Sequence, residues 1–498
     1  MQTSARERTS TIKNRAMLIT YPDSLGGNLD RLERLLRAQF AGLFPGGVHI
    51  LPPFPSSGDR GFAPLTYGEI DPAFGSWQNI HRIAEVGDVM VDLMVNHISR
   101  RSPYFEDFVK KGKRSEYADL FLTLDKVWPG GRPRPEDLAR IFLRKPGQPF
   151  STVAIQENGE SATLWTTFGT KEWSEQIDLD VRSRQTKELL AGYLARFAGE
   201  HIKLVRLDAV GYVVKKPGTS CFMVEPEIYE FLDWIAGVAR SMGMTVIPEV
   251  HAPNAIQSRL AAHGYRVYDF VLPLLTLYTL ISRDSRPLQE YLETCPRHQI
   301  TMLDCHDGIP VLPDVEGILS VEQARAVVEL CLSRGANLSR ILSSAGQPEQ
   351  FDAHQINCTY YSALGAHDDA YLAARAIQFF SPGVPQVYYV GLLAGENDPR
   401  AVDETGERRA INRHNYSLAE IDGALQKPVV QRLFKLIRFR NEYPAFDGDF
   451  SVLVSPDDVI ALEWQKNDWQ AQLNVYLDPP RIIIDYVDAK GELVEYRV

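Results

Sequence analysis

The sequence predicts an α/β fold: a (β/α)8 TIM barrel with two loop-inserted subdomains and a small antiparallel β-domain at the C-terminus. Eight short apolar segments rich in β-branched or aromatic residues recur along the chain, and helix-like segments separate most of them. Two of the connecting segments are much longer than the others. A doubly wound parallel sheet has the same alternation of strands and helices, so these patterns leave it open as the structural alternative.

Each predicted strand is a short apolar run bounded by polar, glycine or proline residues. The intervening helices carry apolar residues at the spacing of one helix face, as in residues 184–201 and 226–243. The predicted strands are residues 16–21, 47–53, 89–97, 202–208, 244–251, 265–273, 299–307 and 384–391.

The connections after the third and seventh strands exceed the roughly 2–6 residues usual for such loops. Both leave from the carboxyl ends of strands, the face where barrel active sites form. After residue 445 the pattern changes to short alternating runs such as "FSVLVS" and "AQLNVYL", which predict antiparallel strands. The predicted organisation is a barrel of residues 1–97, 181–307 and 358–444, inserted domains at 98–180 and 308–357, and a β-domain at 445–498.

The composition of the chain argues against several classes of protein. The net charge of −11 argues against a nucleic-acid partner, which would need a basic surface for phosphates. No apolar run reaches the roughly 18 residues of a membrane span, and the polar start "MQTSARERTSTIKNR" lacks the apolar core of a signal peptide. Five scattered cysteines without C-x-x-C spacing predict neither a disulfide framework nor structural zinc. We therefore expect a cytoplasmic protein with no membrane partner.

Charged and polar residues end four of the predicted strands. Arg206 and Asp208 lie two positions apart in the fourth strand and so point to the same face. His97, Glu249 and Asp307 lie at the ends of the third, fifth and seventh strands. A lone buried carboxylate is usually a satisfied polar group, but several at one rim are costly to bury unless they form a site.

These residues suggest a reaction that uses two carboxyl groups, one as the nucleophile and the other as the acid. A cation beside Asp208 should lower its pKa and keep it ionised, as a nucleophile must be. Glu249, in a less cationic environment, could keep a proton and act as an acid. On a sugar, two carboxyl groups about 5–5.5 Å apart would perform retaining glycosyl transfer.

The segments "DLMVNH", "VRLDAV", "PEVH" and "LDCHDG" resemble the four signature regions of the α-amylase superfamily, in order and on the expected strands. The resemblance covers essentially the whole chain. It implies that Asp208 is the nucleophile, Glu249 the general acid/base and Asp307 the carboxylate that stabilises the transition state. It further implies a donor site for a glucosyl ring, held by His97, Arg206 and His306.

Other segments resemble the sucrose phosphorylase branch: "HILPPFPSSGDRGFAP", "HQINCTYYSALG", "PGVPQVYYVGLLAG" and "INRHNYS". This resemblance implies that a pair formed by Asp59 and Arg409 closes the pocket around one glucosyl unit, between aromatic walls at Phe62 and Phe168. It also implies inorganic phosphate as a substrate, no cofactor and no metal, although Asn96 matches a calcium ligand of amylases.

Two residues resemble the group of that branch that acts on sucrose 6′-phosphate. Arg144 and His354 stand where sucrose phosphorylases typically have proline and tyrosine. The resemblance implies that both bind the fructose phosphate, since guanidinium groups bind phosphate in bidentate fashion. Lys145 would add charge, and Asp352 and Gln355 would bind acceptor hydroxyls.

The expected reaction moves the glucosyl unit of sucrose 6′-phosphate to inorganic phosphate through a β-glucosyl-enzyme. The products would be α-D-glucose 1-phosphate and fructose 6-phosphate, and the enzyme would be a monomer or homodimer. The alternatives are a glucosylglycerate, glucosylglycerol or plain sucrose phosphorylase, a retaining α-glucosidase that uses water, and a sugar-binding protein without turnover.

Overall fold

A computed structural model describes residues 12–170, 174–341 and 351–498. All eight predicted barrel strands are present, each as a shorter strand inside its predicted segment. They are β1 (Met17–Thr20), β2 (Gly47–Ile50), β3 (Val89–Met94), β4 (Leu204–Asp208), β5 (Thr245–Pro248), β6 (Val267–Asp269), β7 (Gln299–Thr301) and β8 (Val384–Tyr388).

The eight strands form a parallel barrel. Their order is β6-β7-β8-β1-β2-β3-β4-β5, and β5 also contacts β6, which closes the ring. Neighbours in the sheet are therefore neighbours in sequence, without the reversal of strand order that defines a doubly wound sheet. The register of β3 and β4 places Asp92 beside Arg206.

Amphipathic helices surround the barrel. In the helix Arg184–Gly199, the hydroxyl of Ser183 caps the first turn, and Leu190, Leu194 and Phe197 face the core. The larger barrel helices are Leu29–Arg37, Trp77–Ala84, Arg184–Gly199, Glu227–Ser241, Asn254–Ala262, Leu272–Ser282, Arg286–Thr294, Asp368–Phe380 and Pro428–Glu442. Shorter helices at the strand ends and beyond are Tyr360–Ala363, Tyr389–Leu392, Pro399–Thr405 and Leu418–Ala424.

The chain after β3 forms the first insertion. Its strands His97–Ser99 and Gln176–Asp178 pair antiparallel at the barrel rim, and Phe150–Ala154 and Ser161–Trp165 form a hairpin above them. Its helices are Pro103–Lys111, Leu124–Val127 and Pro135–Leu138. Two small apolar clusters, separate from the barrel core, hold this insertion together.

The chain after β7 forms the second insertion. The strands Ile309–Pro310, Ala353–Asn357 and Asn337–Arg340 make an antiparallel sheet in that spatial order. The helix Val321–Ser333 connects them and begins with a capping box at Ser320. Ala353–Asn357 is fully buried, which fixes this strand beside the barrel mouth.

The C-terminal region is an antiparallel sheet, as predicted. Its strands follow each other in space as in sequence: β9 (Asp449–Val452), β10 (Val459–Lys466), β11 (Trp469–Leu477), β12 (Pro480–Val487) and β13 (Leu493–Glu495). Alternate residues of β11 are buried against the barrel helices, which is the period-two pattern that the sequence displays.

All five cysteines are buried and free, as their spacing predicts. Within the described ranges, every helix is too short or too polar to cross a lipid bilayer.

Candidate active site

The main candidate site is a pocket at the carboxyl ends of the barrel strands, roofed by both insertions. It collects most of the residues selected from the sequence. Its lining comprises Asp59, Phe62, His97, Arg144, Phe168, Gln176, Asp208, Ala209, Tyr212, Phe222, Glu249, Val250, His251, His306, Asp307, Gln355 and Arg409.

A chain of hydrogen-bonded side chains from three adjacent strands forms the floor of the pocket. His49 of β2 contacts Asp92 of β3 at 2.8 Å, and Asp92 accepts a hydrogen bond from Arg206 of β4. The same guanidinium nitrogen, Nη1, donates to Asp208 Oδ1 at 2.9 Å. This network, buried on all sides except at Asp208, holds the Asp208 carboxyl in one orientation.

Glu249 faces the same guanidinium from β5. Its Oε1 lies 3.3 Å from Arg206 Nη2, and its Oε2 accepts a 3.0 Å hydrogen bond from the backbone N–H of Ala209. Ala209 adopts a left-handed conformation with φ of 53°, which is strained for a residue with a Cβ. The turn after β4 therefore brings the two carboxyl groups together at some conformational cost.

The protonation of the two carboxyl groups is the reverse of the expected one. Burial raises the pKa of Asp208 well above its ordinary value, because Arg206 only partly offsets the loss of solvent. Burial acts in the same direction on Glu249, but Arg206 and His251 outweigh it and lower the pKa of Glu249 to about 2. The expectation was wrong because it placed Arg206 beside Asp208 alone, whereas the guanidinium contacts both carboxyl groups.

Asp307 lies close to two arginines. Its Oδ1 is 2.7 Å from Arg409 Nη1 and 3.8 Å from Arg413 Nη2. Burial would raise the pKa of Asp307, but Arg409 and the other nearby cations hold it well below its ordinary value. Arg409 was expected to pair with Asp59; instead it binds Asp307, and its Nη2 donates to Gln355 Oε1 at 3.0 Å.

Aromatic and imidazole rings form the walls. Phe62 stacks on His306 with ring centroids 5.0 Å apart, and Phe168 meets His97 edge-on at 5.6 Å. His97 Nε2 donates to the Phe62 carbonyl at 2.9 Å, which fixes its tautomer. Burial lowers the pKa of His306 to about 3, so this ring is neutral.

Arg144 and His354 meet across the mouth of the pocket. Arg144 Nη1 donates to His354 Nε2 at 2.7 Å, and His354 Nδ1 donates to the carbonyl of Leu312 at 2.7 Å. Burial, and then the charge of Arg144, hold the pKa of His354 well below its ordinary value. His354 is therefore neutral and orients Arg144.

Two expected acceptor residues do not reach the pocket. Lys145 is fully buried inside the first insertion, where its Nζ donates to Thr166 Oγ1 at 2.6 Å. Asp352 forms an ion pair with Arg340 on the outer side of the second insertion. Neighbours in sequence point in opposite directions here, so Arg144 enters the pocket and Lys145 leaves it.

A buried ammonium contacts Asn96, the residue that matches a calcium ligand of amylases. Lys215 Nζ lies 3.1 Å from Asn96 Oδ1, 2.9 Å from Asp178 Oδ2 and 3.0 Å from Thr167 Oγ1. It also donates to the carbonyl of Tyr212. Carboxylate, amide, hydroxyl and carbonyl oxygens of this kind suit a hard cation, and here they surround the lysine.

Several pocket residues were missed by the sequence argument. Gln176 donates to the Phe62 carbonyl at 3.0 Å, and Tyr212 and Phe222 close one side. Only their place in the segments that follow the third and fourth barrel strands could have signalled them, and many residues share that place. His251, which ends the "PEVH" segment, lies 3.3 Å from Glu249 Oε1.

Comparison with known proteins places the chain among sugar-active enzymes. The family model described as the α-amylase catalytic domain matches residues 42–260. A sucrose 6(F)-phosphate phosphorylase from Thermoanaerobacterium thermosaccharolyticum is 57% identical, over 98% of this chain and 100% of the relative. A glucosylglycerol phosphorylase from Marinobacter adhaerens is 43% identical, over 96% of this chain and 98% of the relative.

Solved structures agree with the fold. The crystal structure of sucrose 6F-phosphate phosphorylase from Thermoanaerobacter thermosaccharolyticum matches with a TM-score of 0.96 at 56% identity, covering 99% of this chain and 100% of that chain. An α-amylase from H. orenii matches with a TM-score of 0.66 at 15% identity, covering 93% of this chain and 90% of that chain. The second likeness concerns the fold alone.

Replacing Lys215 by methionine should strongly destabilise the fold. The substitution keeps the side-chain volume but leaves Asp178 buried without a counter-charge, and breaking such a pair costs about 3–5 kcal/mol. Lys216→Met is the matched control, because Lys216 pairs with Glu227 in solvent and should change stability by less than about 1 kcal/mol. Urea unfolding would measure both, and equal small losses would contradict the prediction.

Asp208→Asn should stabilise the fold more at pH 8 than at pH 5. A carboxyl whose pKa is raised by folding binds protons more readily in the folded state, so its contribution to stability falls as the pH rises from about 3.9 through the raised value. The amide of asparagine does not titrate, so the variant does not lose stability in this way as the pH rises. The Tm difference between variant and wild type, measured at both pH values, tests the sign.

Asp307→Asn tests a carboxyl group whose pKa is lowered by folding rather than raised. The pKa of Asp307 is lowered, so its stabilising contribution is present above about pH 3.9 and is lost only as the pH falls through the folded value. We expect this variant to be destabilised by a similar amount at pH 5 and pH 8. A Tm difference that grew equally with pH in both variants would contradict the electrostatic assignment.

Proposed function

The chain belongs to the α-amylase superfamily, in the branch that contains the sucrose phosphorylases, and we propose that it is a retaining glycoside phosphorylase acting on sucrose 6′-phosphate. The reaction transfers the glucosyl unit to inorganic phosphate and yields α-D-glucose 1-phosphate and fructose 6-phosphate. The enzyme needs no cofactor for this chemistry. Buried, free cysteines suit a reducing compartment, so we place the reaction in the cytoplasm.

The observation that best supports sucrose 6′-phosphate as the substrate is the position of the Arg144 guanidinium in the pocket. It lines the pocket, donates to the neutral His354, and forms no ion pair with a carboxylate among the described residues. The rings of Phe168 and Tyr212 lie 5.9 Å from it and limit its movement. An arginine held in this way, with its charge uncompensated, is suited to bind an anionic group of the substrate.

Relatives with different acceptors are all similar to this chain, so overall identity does not select the acceptor. Glucosylglycerol carries no charge and would leave the Arg144 guanidinium without an anion. Glucosylglycerate carries one carboxylate and is the nearest competitor. The phosphate of sucrose 6′-phosphate offers several anionic oxygens to the fork of Arg144, which favours it over both.

The first chemical step would use both carboxyl groups at Arg206. Asp208 gives its proton to Glu249 as it attacks the anomeric carbon of the glucosyl unit, the bond from this carbon to the fructosyl oxygen breaks, and Glu249 passes the proton to that oxygen. A β-glucosyl ester on Asp208 results. Asp307, kept ionised by Arg409 and Arg413, stabilises the positive charge that develops on the sugar ring.

The second step would transfer the glucosyl unit to phosphate. A phosphate oxygen attacks the anomeric carbon from the face that fructose 6-phosphate has left, and the ester bond to Asp208 breaks. Two inversions give net retention and hence the α-anomer. Arg144 and Arg409 both line the pocket, and their positive charges would hold phosphate at the acceptor side.

One wall of the pocket is suited to a single hexose ring. Phe62 and His306 present a stacked, uncharged surface on which the apolar face of a glucosyl ring can pack. Asp59, His97 and Arg409 surround this surface and can bind hydroxyl groups. Such a donor site favours transfer of a terminal glucosyl unit over cleavage inside a polysaccharide.

Arg144→Ala should remove the preference for the phosphorylated substrate. Loss of a charge-assisted hydrogen bond worth about 1.5–3 kcal/mol lowers kcat/KM for sucrose 6′-phosphate by roughly ten- to a hundredfold. Phosphorolysis of unphosphorylated sucrose should change much less. The measurement is the rate of glucose 1-phosphate formation from each substrate at fixed phosphate concentration.

Arg140→Ala is the matched control for this experiment. Arg140 lies in the same segment, is exposed, and donates to the carbonyl of Gly218 away from the pocket. The proposal fails if Arg144→Ala keeps the wild-type ratio of the two activities. In the synthesis direction, a wild-type preference for glycerate over fructose 6-phosphate would reassign Arg144 to a carboxylate.

A further inference from the structure

A second cavity lies at the end of the barrel opposite to the active site. Its volume is about 530 Å³, and residues that directly precede three barrel strands line it: Arg266 before β6, His298 before β7 and Gly383 before β8. The C-terminal sheet forms the other side through Phe450 of β9 and Trp464 of β10. Among the described residues, none lines both this cavity and the active-site pocket, so a ligand can bind here while the pocket stays open.

Arg266 faces this cavity without a compensating carboxylate. Its Nη1 donates to the carbonyl of Gln299 at a long distance of 3.5 Å, and it forms no ion pair within the described ranges. Burial lowers the pKa of its guanidinium to about 10. A buried cation is costly unless an anion neutralises it, and charges inside proteins are therefore usually paired. The cavity thus has the place for an anion beside Arg266.

A second arginine behind the cavity wall adds to this positive charge. Arg440 is buried, and its guanidinium donates to the carbonyl of Gly383 at 3.0 Å and to Asn14 Oδ1 at 2.6 Å, both residues of the lining. These acceptors are uncharged. Burial, and then the charge of Arg15, lower the pKa of Arg440 to about 9.

The rim of the cavity contributes two further nitrogen groups. Arg297 donates to the carbonyls of Leu292 and Glu293, and its guanidinium lies 5.0 Å from the ring centre of Phe450. Burial, and then the charge of Arg266, lower the pKa of His298, so this ring is neutral at pH 7. Arg297 therefore brings a charge to the cavity, and His298 brings a ring that can donate one hydrogen bond.

The carboxylates of the lining do not balance these arginines. Asp447 binds the guanidinium of Arg15 through both oxygens, at 2.7 and 2.9 Å. Asp449 is exposed at the start of β9 and pairs with neither Arg266 nor Arg297 among the described residues. The sequence before Ile12 contains Arg6, Glu7 and Arg8, whose summed charge has the same sign as that of the cavity.

We propose that this cavity is a binding site for a phosphate monoester, distinct from the active site. The fork of the Arg266 guanidinium would bind the phosphate oxygens, and the charges of Arg297 and Arg440 would support it. The organic part would lie against the apolar side formed by Val384 and Phe446. A volume of this size is typical of small-molecule sites. Inorganic phosphate shares the charge of the monoester but lacks its organic part.

Arg266→Gln tests the site because it removes the charge and keeps a polar side chain. Arg481→Gln is the matched control: Arg481 belongs to the same C-terminal sheet, is exposed over the ring of Tyr476, and lies outside the cavity lining. Both substitutions are made in an Arg144→Ala background, which weakens phosphate binding in the active site. Titration calorimetry at constant ionic strength then measures the binding of fructose 6-phosphate, inorganic phosphate and uncharged fructose.

We expect Arg266→Gln to weaken the binding of fructose 6-phosphate at least about tenfold, as the loss of a charge-assisted hydrogen bond requires. Arg481→Gln should change this affinity by less than about twofold, since its charge is exposed. Fructose should bind equally to all three proteins, and inorganic phosphate should bind more weakly than fructose 6-phosphate. Equal affinities for the two phosphates would overturn the assignment to a monoester and leave inorganic phosphate as the ligand.

An unchanged affinity for fructose 6-phosphate in Arg266→Gln would overturn the proposal as a whole. A crystal of the unmodified protein soaked in fructose 6-phosphate gives a test that does not depend on the folding of a variant. Electron density for the phosphate group should lie beside Arg266, whereas density in the active-site pocket alone would show that the second cavity does not bind it.

Discussion

The guanidinium of Arg206 is the interaction on which the site depends. It binds Asp92 on the neighbouring strand, Asp208 on its own strand and Glu249 on the next, so one cation neutralises carboxylates from three strands of the barrel. Without it, these carboxylates would be buried without compensation, at a cost of several kcal/mol each. The barrel can enclose these carboxylates only because Arg206 lies in its core. The register of the strands sets the positions of Asp208 and Glu249 relative to each other.

The strands and the rim residues were predictable because they rest on local patterns, whereas the strand order was left open by those patterns. Alternation and apolar runs identify strands, and the two-residue spacing of Arg206 and Asp208 fixes their common face. The protonation of the carboxyl pair was not predictable, since it depends on how one guanidinium is divided between residues 41 positions apart in sequence, Asp208 and Glu249. The directions of Lys145 and Asp352 likewise depend on how the insertions fold back.

The surroundings of each histidine in the site determine whether it is charged or neutral. His251 lies between the carboxylates of Glu249 and Asp314 and is charged, whereas His354 lies beside Arg144 and a backbone carbonyl and is neutral. The neutral ring can accept a hydrogen bond from Arg144, which a charged ring could not. Each histidine thus has its role set by its neighbours, and the second insertion, which supplies both Asp314 and His354, determines the two states together.

The buried ammonium of Lys215 has a consequence for an enzyme that handles phosphate. A divalent ion held by Asn96, Asp178 and Thr167 would exchange with the medium, where inorganic phosphate competes for it as an oxygen ligand. The ammonium of Lys215 is attached covalently to the chain, has no dissociation constant, and cannot be sequestered. The junction between barrel and first insertion is therefore insensitive to the concentration of the substrate that the pocket above it is built to receive.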